Sequence, residues 1–443
     1  MTRQKTGPVQ RRDSTRHFLY SKTDTKELTS KKIHPREDAW KAVKRKYPDV
    51  LSGQPFVDYA MDWLMAREMF GAMTVRMDSP PVKEKQLAKY NEIAAFLDAL
   101  CKKENALWGV FEDSMLGVYF PEKDEFDCYR LARSFQKLLK KHTKSTVTIG
   151  IAAFPMLSYK KHNILDNARK ALQHAVFFGP NSAQIFDAVS LNIHGDQLYE
   201  KGDIKGAIEE FKQALMLDPS NVNVHNSLGV CYGVQGEYKQ AIRQFKTALA
   251  LDSKEYMAVY NLGLINMLSG QKNKALSLFS KANGLAADVF EIVFQTGKLN
   301  LENGDYEKAQ TFLEQASHLN PSGGAVFRYL GECHGAVGRT EAAIAAYKKA
   351  IKQNPSDAAS LSALGCLFDK QGENPEIATM FCQESVGLSP DNGLFRHRLG
   401  RLFLKQNQLQ KALSEFKQAD RLGHDAGEYI KKIEAQIKTK ATR

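Results

Sequence analysis

Small and bulky apolar positions recur in phase through the second half of the chain, at a spacing of 34 residues. A small residue follows six of the seven recurring glycines by twelve positions, and a bulky residue comes four positions later. The glycines are Gly195, Gly229, Gly263, Gly297, Gly331, Gly365 and, one residue late, Gly400. The bulky residues are Phe211, Phe245, Phe279, Leu313, Tyr347 and Phe416. Two helices cross closely only where one presents Gly or Ala, so the pattern predicts antiparallel helix pairs.

A second set of glycines marks the predicted turn inside each pair. These are Gly202, Gly236, Gly270, Gly304, Gly338 and Gly372. The sixth unit departs from the pattern, because Asn374-Pro375 adds a residue at its turn. There Ala378 takes the small position, while Cys382 and Ser385 replace the aromatic residue and the alanine after it. We expect a distorted unit and no break in the array.

These coupled positions resemble the tetratricopeptide repeat (TPR) family, whose repeat is 34 residues long. The resemblance implies an all-α solenoid of seven units over residues 188–426. A capping helix and tail follow in residues 427–443, where Tyr429, Ile430, Ile433 and Ile437 form an apolar stripe. A cap of this kind covers the last apolar face of a solenoid.

The TPR resemblance also implies a binding groove for a protein or peptide partner, on the concave face lined by the first helix of each unit. Carried onto this sequence, the groove positions are Asn192, Asp196, Asn226, Val230, Met257, Tyr260, Leu264, Met267, Phe294, Lys298, Leu301, Arg328, His397 and Arg401. The alternative for each is packing against an adjacent helix. The clamp by which some TPR proteins hold chaperone tails falls on Asn192, Asp196, Ser227, Met257 and Asn261, so chaperone-tail binding is not expected.

Residues 70–187 show a different periodicity, in which β-rich runs alternate with helical patterns. The predicted strands are Ala72–Met77, Leu107–Phe111, Met115–Phe120, Thr146–Ala153 and Ala183–Phe186. The predicted helices are Lys85–Lys102, Phe126–His142 and Asn163–Phe177. The order β-α-β-β-α-β-α-β, with a hairpin turn at Glu112–Ser114, indicates an α+β domain.

The end of this domain resembles a GGDEF domain, the diguanylate cyclase family. The resemblance rests on Thr146–Ala152, on Ala168, Ala171 and Ala175 in the helix, and on Ile185-Phe186-Asp187. It implies a palm-like, ferredoxin-like fold shared with class III nucleotide cyclases. The fold class is therefore an α+β cyclase-like domain followed by an all-α TPR solenoid.

The chemistry of cyclases is not reproduced by these residues. Two acidic residues should hold divalent cations there, yet the hairpin contains Glu112-Asp113-Ser114 and the first strand ends in Arg76-Met77-Asp78. Ser79-Pro80-Pro81 replaces the nucleotide loop, and Val176 stands at the position of a phosphate-contacting lysine. A looser alignment, closer to the class III cyclases, would pair Asp113 with Asp78 as the metal-binding carboxylates. We predict a degenerate domain without catalytic residues, metal ligands or cofactor.

Charge and cysteine usage add little about function. Residues 1–50 hold 14 Lys and Arg against 6 Asp and Glu, so most of the net charge of +12 lies there. We interpret residues 1–69 as a basic, largely disordered, solvated tail, with nucleic-acid or lipid contact as the alternative. The six cysteines form no CxxC pair, which favours reduced thiols in a cytoplasmic protein. No apolar run is long enough for membrane insertion.

Two functional hypotheses follow. The first is a non-enzymatic scaffold or adaptor that binds its partner through the TPR groove, with the cyclase-like domain as a sensing or dimerisation module. A homodimer through that domain is left open, and a nucleic-acid partner is not expected. The second is an active or nucleotide-binding diguanylate cyclase relative that its TPR array regulates.

Overall fold

The structure is a computed structural model that describes residues 43–78, 83–112, 115–372 and 375–441. It divides into two compact bodies, of which the first ends at Asn261 and the second begins at Leu262. The first body contains an α+β domain and the first two helix pairs. Helix and strand numbers below follow chain order through the described residues.

The α+β domain of the first body alternates strands and helices in the predicted order. Its elements are α1 (Gln54–Trp63), β1 (Phe70–Met77), α2 (Lys83–Glu104), β2 (Leu107–Glu112), β3 (Met115–Pro121), α3 (Glu125–Thr143), β4 (Val147–Phe154), a 3-10 turn (Lys161–Asn163), α4 (Ile164–Val176) and β5 (Ala183–Ile185). The predicted sheet region is confirmed, and the cyclase-like assignment stays a prediction. Most of the predicted hairpin turn, including Asp113, and the Ser79-Pro80-Pro81 segment lie outside the described residues.

The strands that the structure describes form one sheet in the order β2-β3-β1-β4-β5. β4 and β5 are parallel, and the other neighbours are antiparallel. A transverse row of small residues crosses the sheet, since Gly109 pairs with Gly117, Gly117 with Thr74, and Thr74 with Gly150. All four side-chain positions therefore point to the same face.

The glycines of this row allow two helices to approach the sheet closely. A Cβ atom on Gly150 would lie 1.9 Å from the backbone oxygen of Ala168 in α4, and one on Gly109 would lie 2.3 Å from the Phe56 ring of α1. The opposite face carries the larger side chains of the core, including Met73 and Val75, against α2 and α3. The sheet is thus covered by helices on both faces.

The predicted disordered tail is wrong for residues 43–69, which belong to the folded domain. Phe56 and Ala60 share one stripe of α1 and are fully buried, as are Leu64 directly after the helix and Val43 before it. The backbone N–H of Gly53 donates to the oxygen of Val110 at 2.8 Å and so ties this segment to β2. Apolar burial on this scale outweighs the entropy of ordering the segment. The basic part of the predicted tail before residue 43 lies outside the described residues.

The predicted helix pairs are confirmed across the described residues between 188 and 421. The first body contains repeat one, α5 (Ala188–Glu200) with α6 (Ile204–Leu217), and repeat two, α7 (Val222–Val234) with α8 (Tyr238–Leu251). Helix α9 (Tyr256–Leu268) spans the division between the bodies and begins repeat three. In every pair except that of repeat six, the recurring glycine meets the recurring bulky residue. A Cβ on Gly229, for example, would lie 2.5 Å from the Phe245 ring.

The second body continues the series to the end of the described chain. Its helices are α10 (Lys272–Leu285), α11 (Phe290–Glu302), α12 (Tyr306–Leu319), α13 (Gly324–Ala336), α14 (Thr340–Gln353), α15 (Ala358–Gln371), α16 (Pro375–Leu388), α17 (Gly393–Lys405), α18 (Leu409–Arg421) and α19 (Gly427–Ala441). Repeats four to seven are α11–α12, α13–α14, α15–α16 and α17–α18. The turn glycines have positive φ angles, such as 81° at Gly304, which only glycine adopts without strain.

Repeat six keeps its predicted irregular composition without losing the helix pair. Cys382 and Ala378 occupy the crossing with Gly365, where the ideal Cβ position lies 2.7 Å from both the Cys382 Sγ and the Ala378 backbone oxygen. Ser385 is fully buried in place of an alanine. The predicted capping helix is also present as α19, whose Ile433 is fully buried against repeat seven.

Candidate functional site

In the first helix of every repeat, the residue that directly follows the recurring glycine occupies the same position of the repeat. These residues are Asp196, Val230, Leu264, Lys298, Glu332, Cys366 and Arg401. In the second body, contacts between successive first helices join neighbouring side chains into one surface. We call it the first-helix face of the second body, and its residues are Phe290, Phe294, Lys298, Arg328, Tyr329, Glu332, Ser362, Cys366, Arg398 and Arg401.

Several predicted groove residues of the first body are buried instead of exposed. Asn226 and Tyr260 are each only 1% exposed, while Asn192, Asp196 and Met257 are partly buried. Asn226 accepts a hydrogen bond from the side-chain N–H of the fully buried Asn261 at 3.0 Å. Burial of Asn226 and Tyr260 favours, at these two positions, the alternative of packing within the array.

The predicted groove residues of the second body fall into two groups. Leu264 is fully buried and Phe294 is 6% exposed, so both contribute to the core. Met267, Lys298, Leu301 and Arg328 are partly exposed, and Arg401 is exposed. His397, another position carried over from the family, packs between the rings of Phe416, His424 and Tyr429 near the cap.

An aromatic and cationic cluster joins α11 to α13. The rings of Phe290 and Phe294 stack at 5.4 Å, and Phe294 lies 5.6 Å from the Tyr329 ring. The Lys298 Nζ lies 5.5 Å from the centre of the Tyr329 ring, and the Arg328 guanidinium lies 4.8 Å from it. Such cation–π contacts hold the cations over an apolar surface while leaving their charges available.

Acidic side chains neutralise one of these cations. Arg328 lies 3.6 Å from a carboxylate oxygen of Asp357 and 4.0 Å from one of Glu332. Burial raises the pKa of Glu332, although the charges of Arg328 and Arg398 oppose the shift. The net charge of this part of the face is therefore close to zero.

Helix α17 adds a strongly basic stretch, with Arg396, Arg398, Arg401 and Lys405 and no acidic residue. Arg396 pairs with Glu415 at 2.9 Å, and Lys405 pairs with Asp369 at 2.7 Å. Arg398 donates to the neutral hydroxyl of Ser362 on α15 at 3.0 Å.

Arg401 is the exposed cation of this stretch. It forms no ion pair with any residue in the part of the chain that the structure describes. Positive charge therefore remains available between α15 and α17.

Sequence reasoning missed Tyr329, Ser362, Cys366 and Arg398. Cys366 carried a usable signal, because it occupies the same position after the repeat glycine as Lys298 and Arg401. Tyr329, Ser362 and Arg398 had no such signal, since their contacts depend on the neighbouring repeat.

The sheet domain uses its candidate metal ligands for other contacts. The Asp78 carboxylate accepts hydrogen bonds from the Thr148 hydroxyl and from the Asn181 backbone N–H, the latter at 2.7 Å. Glu112 lies 3.7 Å from the Arg169 guanidinium. Within the described residues, no group of three or more His, Cys, Asp or Glu side chains could hold a metal ion.

Residues 167–437, more than half of the chain, match the family model of the cilia and flagella-associated protein 70 C-terminal domain, a TPR domain. The chain belongs to this family. The match begins inside α4, so the family domain includes the end of the sheet domain as well as the repeats. No curated protein matches the chain.

Solved TPR structures are also similar to this member of the family. YrrB, described as a TPR protein with an unusual peptide-binding site, is 19% identical, covers 43% of this chain and 97% of its own, and has a TM-score of 0.39. A TPR protein from Parabacteroides merdae is 19% identical over 56% of this chain and 96% of its own, with a TM-score of 0.42. PilF from Pseudomonas aeruginosa is 20% identical over 46% of this chain and 92% of its own, with a TM-score of 0.43. The family assignment rests on the family model.

In the described part of this chain, none of the helices combines the length and apolar composition that crossing a bilayer requires.

Proposed function

We propose that the chain is a non-enzymatic adaptor whose first-helix face of the second body binds an extended segment of a partner protein. The segment carries an acidic side chain flanked by apolar ones. One observation supports this most strongly: Arg401 is exposed without an ion pair among the described residues, beside an Arg398 that contacts the neutral Ser362 hydroxyl. An arginine fork binds a carboxylate through paired N–H donors.

The aromatic cluster supplies the apolar half of the proposed recognition. Phe290 and Tyr329 are partly exposed, and the Lys298 ammonium lies over the Tyr329 ring. Trp, Tyr and Arg side chains are enriched among the few residues that carry most of the binding energy of protein interfaces. Membership of a TPR family supports protein–protein interaction as the general role.

The test is binding of fluorescein-labelled peptides to the full chain, measured by fluorescence polarisation. The probes are an array of twelve-residue peptides with one central Asp or Glu between Leu and Phe residues, and the same array with Lys in the acidic position. We expect Arg401→Glu to weaken binding of the acidic peptides by at least about tenfold, the effect of losing a charged hydrogen-bonded contact. Arg421→Glu is the matched control, because Arg421 is an exposed cation on the second helix α18.

Equal binding of the acidic and lysine arrays, or an equal loss in both variants, would contradict the proposal. Tyr329→Ala tests the apolar half separately. It should weaken acidic and lysine-bearing peptides alike, because it removes the aromatic surface and leaves Arg401 in place.

For the sheet domain we propose a degenerate cyclase relative that senses or dimerises without catalysis. The engagement of Asp78 by Thr148 and Asn181 supports this, because a carboxylate held by protein donors has fewer lone pairs for a metal ion. Calorimetry on the full chain with GTP, ATP and cyclic di-GMP, each with Mg²⁺ or Mn²⁺, tests it. Product formation from GTP or ATP would overturn the non-catalytic assignment, and light scattering would show whether the chain forms a homodimer. We further propose that the protein acts in the cytoplasm, which fractionation would test.

A further inference from the structure

Two cysteines meet where the helices of repeat six cross. Cys366 lies on α15 and Cys382 on α16, next to the close approach at Gly365. A Cβ on Gly365 would be 2.7 Å from the Cys382 Sγ and 3.4 Å from its backbone nitrogen. The Cys382 Sγ also lies 3.8 Å from the backbone oxygen of Ser362, one helical turn before Cys366. The Cys382 sulfur thus lies against the turn of α15 that runs from Ser362 to Cys366.

The two thiols differ in exposure and in protonation. Cys382 is fully buried, and Cys366 is partly exposed on the first-helix face. Hydrogen bonding from the neighbouring Cys382 thiol lowers the pKa of Cys366. Burial opposes the shift, while the positive charges of Arg398 and Arg401 assist it. The same bond and burial raise the pKa of Cys382.

The remaining cysteines of the described chain lack this activation. Burial raises the pKa of each thiol, and they are Cys101, Cys128, Cys231 and Cys333. Only a thiolate reacts rapidly as a nucleophile, and access to solvent is the second requirement. Cys366 meets both conditions, and Cys382 is the thiol beside it.

We infer that Cys366 and Cys382 form a dithiol modification site that hydrogen peroxide converts into a disulfide within repeat six. The Cys366 thiolate attacks one peroxide oxygen, the O–O bond breaks, and a sulfenic acid forms with release of one water after proton uptake. The Cys382 sulfur then attacks the Cys366 Sγ and displaces the hydroxyl as a second water. Two thiols are oxidised by two electrons in total, and the peroxide is reduced to two waters.

This inference does not depend on the proposed partner. A disulfide would link α15 to α16 and would remove the Cys366 thiolate from beside Arg398 and Arg401. Closing a loop of 15 residues between the two cysteines by a covalent bond restricts the unfolded chain. Oxidation should therefore raise the thermal unfolding midpoint of the second body by a few degrees.

The experiment treats the full chain with hydrogen peroxide and maps the cysteines by mass spectrometry of a non-reducing peptic digest. We expect one reversible disulfide between Cys366 and Cys382. In Cys382→Ser, Cys366 should accumulate as a sulfenic acid that dimedone captures, since the resolving thiol is gone. Cys366→Ser should leave Cys382 reduced, because that thiol is buried. Cys333→Ser is the control and should still form the disulfide.

A wild-type protein whose Cys366 sulfenic acid is captured as readily as in Cys382→Ser would overturn the inference. A disulfide that joins other cysteines would overturn it as well. If Cys382→Ser does not fold, the peptide map of the wild type decides. A second readout is alkylation at neutral pH by iodoacetamide, which should modify Cys366 at least about tenfold faster than Cys333. Equal rates would contradict the activation of Cys366.

Discussion

The Lys170 ammonium lies 2.8 Å from a carboxylate oxygen of Glu210, and this ion pair joins the sheet domain to the first repeat. Lys170 lies on α4 and is 6% exposed, while Glu210 lies on α6. His194 of α5 lies 3.4 Å from the other Glu210 oxygen. The junction within the first body is therefore a packed interface with buried charges, consistent with the short connection between β5 and α5.

Removal of one partner of this pair should destabilise the first body strongly. We expect Lys170→Met to lower the free energy of unfolding by about 3–5 kcal/mol, because it leaves Glu210 buried without its cation. The double change Lys170→Met with Glu210→Leu should lose much less, since no unpaired charge remains. Urea denaturation followed by circular dichroism measures both. If the double variant is as unstable as the single one, the loss comes from packing and not from charge.

The same carboxylate should make the stability depend on pH. Burial alone would raise the pKa of Glu210, but His194 and Lys170 outweigh it and lower the pKa below its ordinary value of 4.5. A lowered folded-state pKa stabilises the protein above the ordinary value, and the stabilisation disappears as the pH falls through the folded-state pKa. We expect the wild type to lose stability faster than Glu210→Gln between about pH 5 and pH 3. Parallel losses in the two proteins would contradict this assignment.

Two glycines one turn apart on α13 provide a matched test of the repeat crossing. A Cβ on Gly331 would lie 2.7 Å from the Tyr347 ring, whereas nothing lies within 4 Å of one on Gly335. Gly331→Ala should lower the free energy of unfolding by about 1–3 kcal/mol through overpacking. Gly335→Ala should raise it by up to about 1 kcal/mol, because alanine favours the helix. Denaturant unfolding of both variants checks the opposite signs.

The cap should contribute measurably to the stability of repeat seven. Ile433 of α19 is fully buried, and the neighbouring Tyr429 ring stacks 4.7 Å from Phe416. Ile433→Ala should reduce stability by about 2–4 kcal/mol and speed amide hydrogen exchange in α18 and α19. Lys432→Ala, next to it on the exposed side, should change stability by less than about 0.5 kcal/mol. Unchanged exchange in α18 after Ile433→Ala would show that the cap does not protect the repeat.

Much of the candidate site could not be predicted from the sequence. The sequence predicted Lys298 and Arg401 because each directly follows a repeat glycine, which fixes its place within the repeat. Leu264 occupies the equivalent position after Gly263 yet is fully buried. Exposure at such a position depends on how the adjacent first helices pack against it, and a single repeat does not contain that information.

The sequence by itself determined the helix pairs, their turns, the irregular sixth repeat and the order of elements in the sheet domain. These follow from local periodicity and from the contacts that each glycine makes with its own partner helix. Only the tertiary structure decided that residues 43–69 fold onto the sheet, that Asp78 serves as a hydrogen-bond acceptor, and that Arg398 meets Ser362. Each of these depends on segments far apart in the chain, whose approach is set by packing and not by spacing.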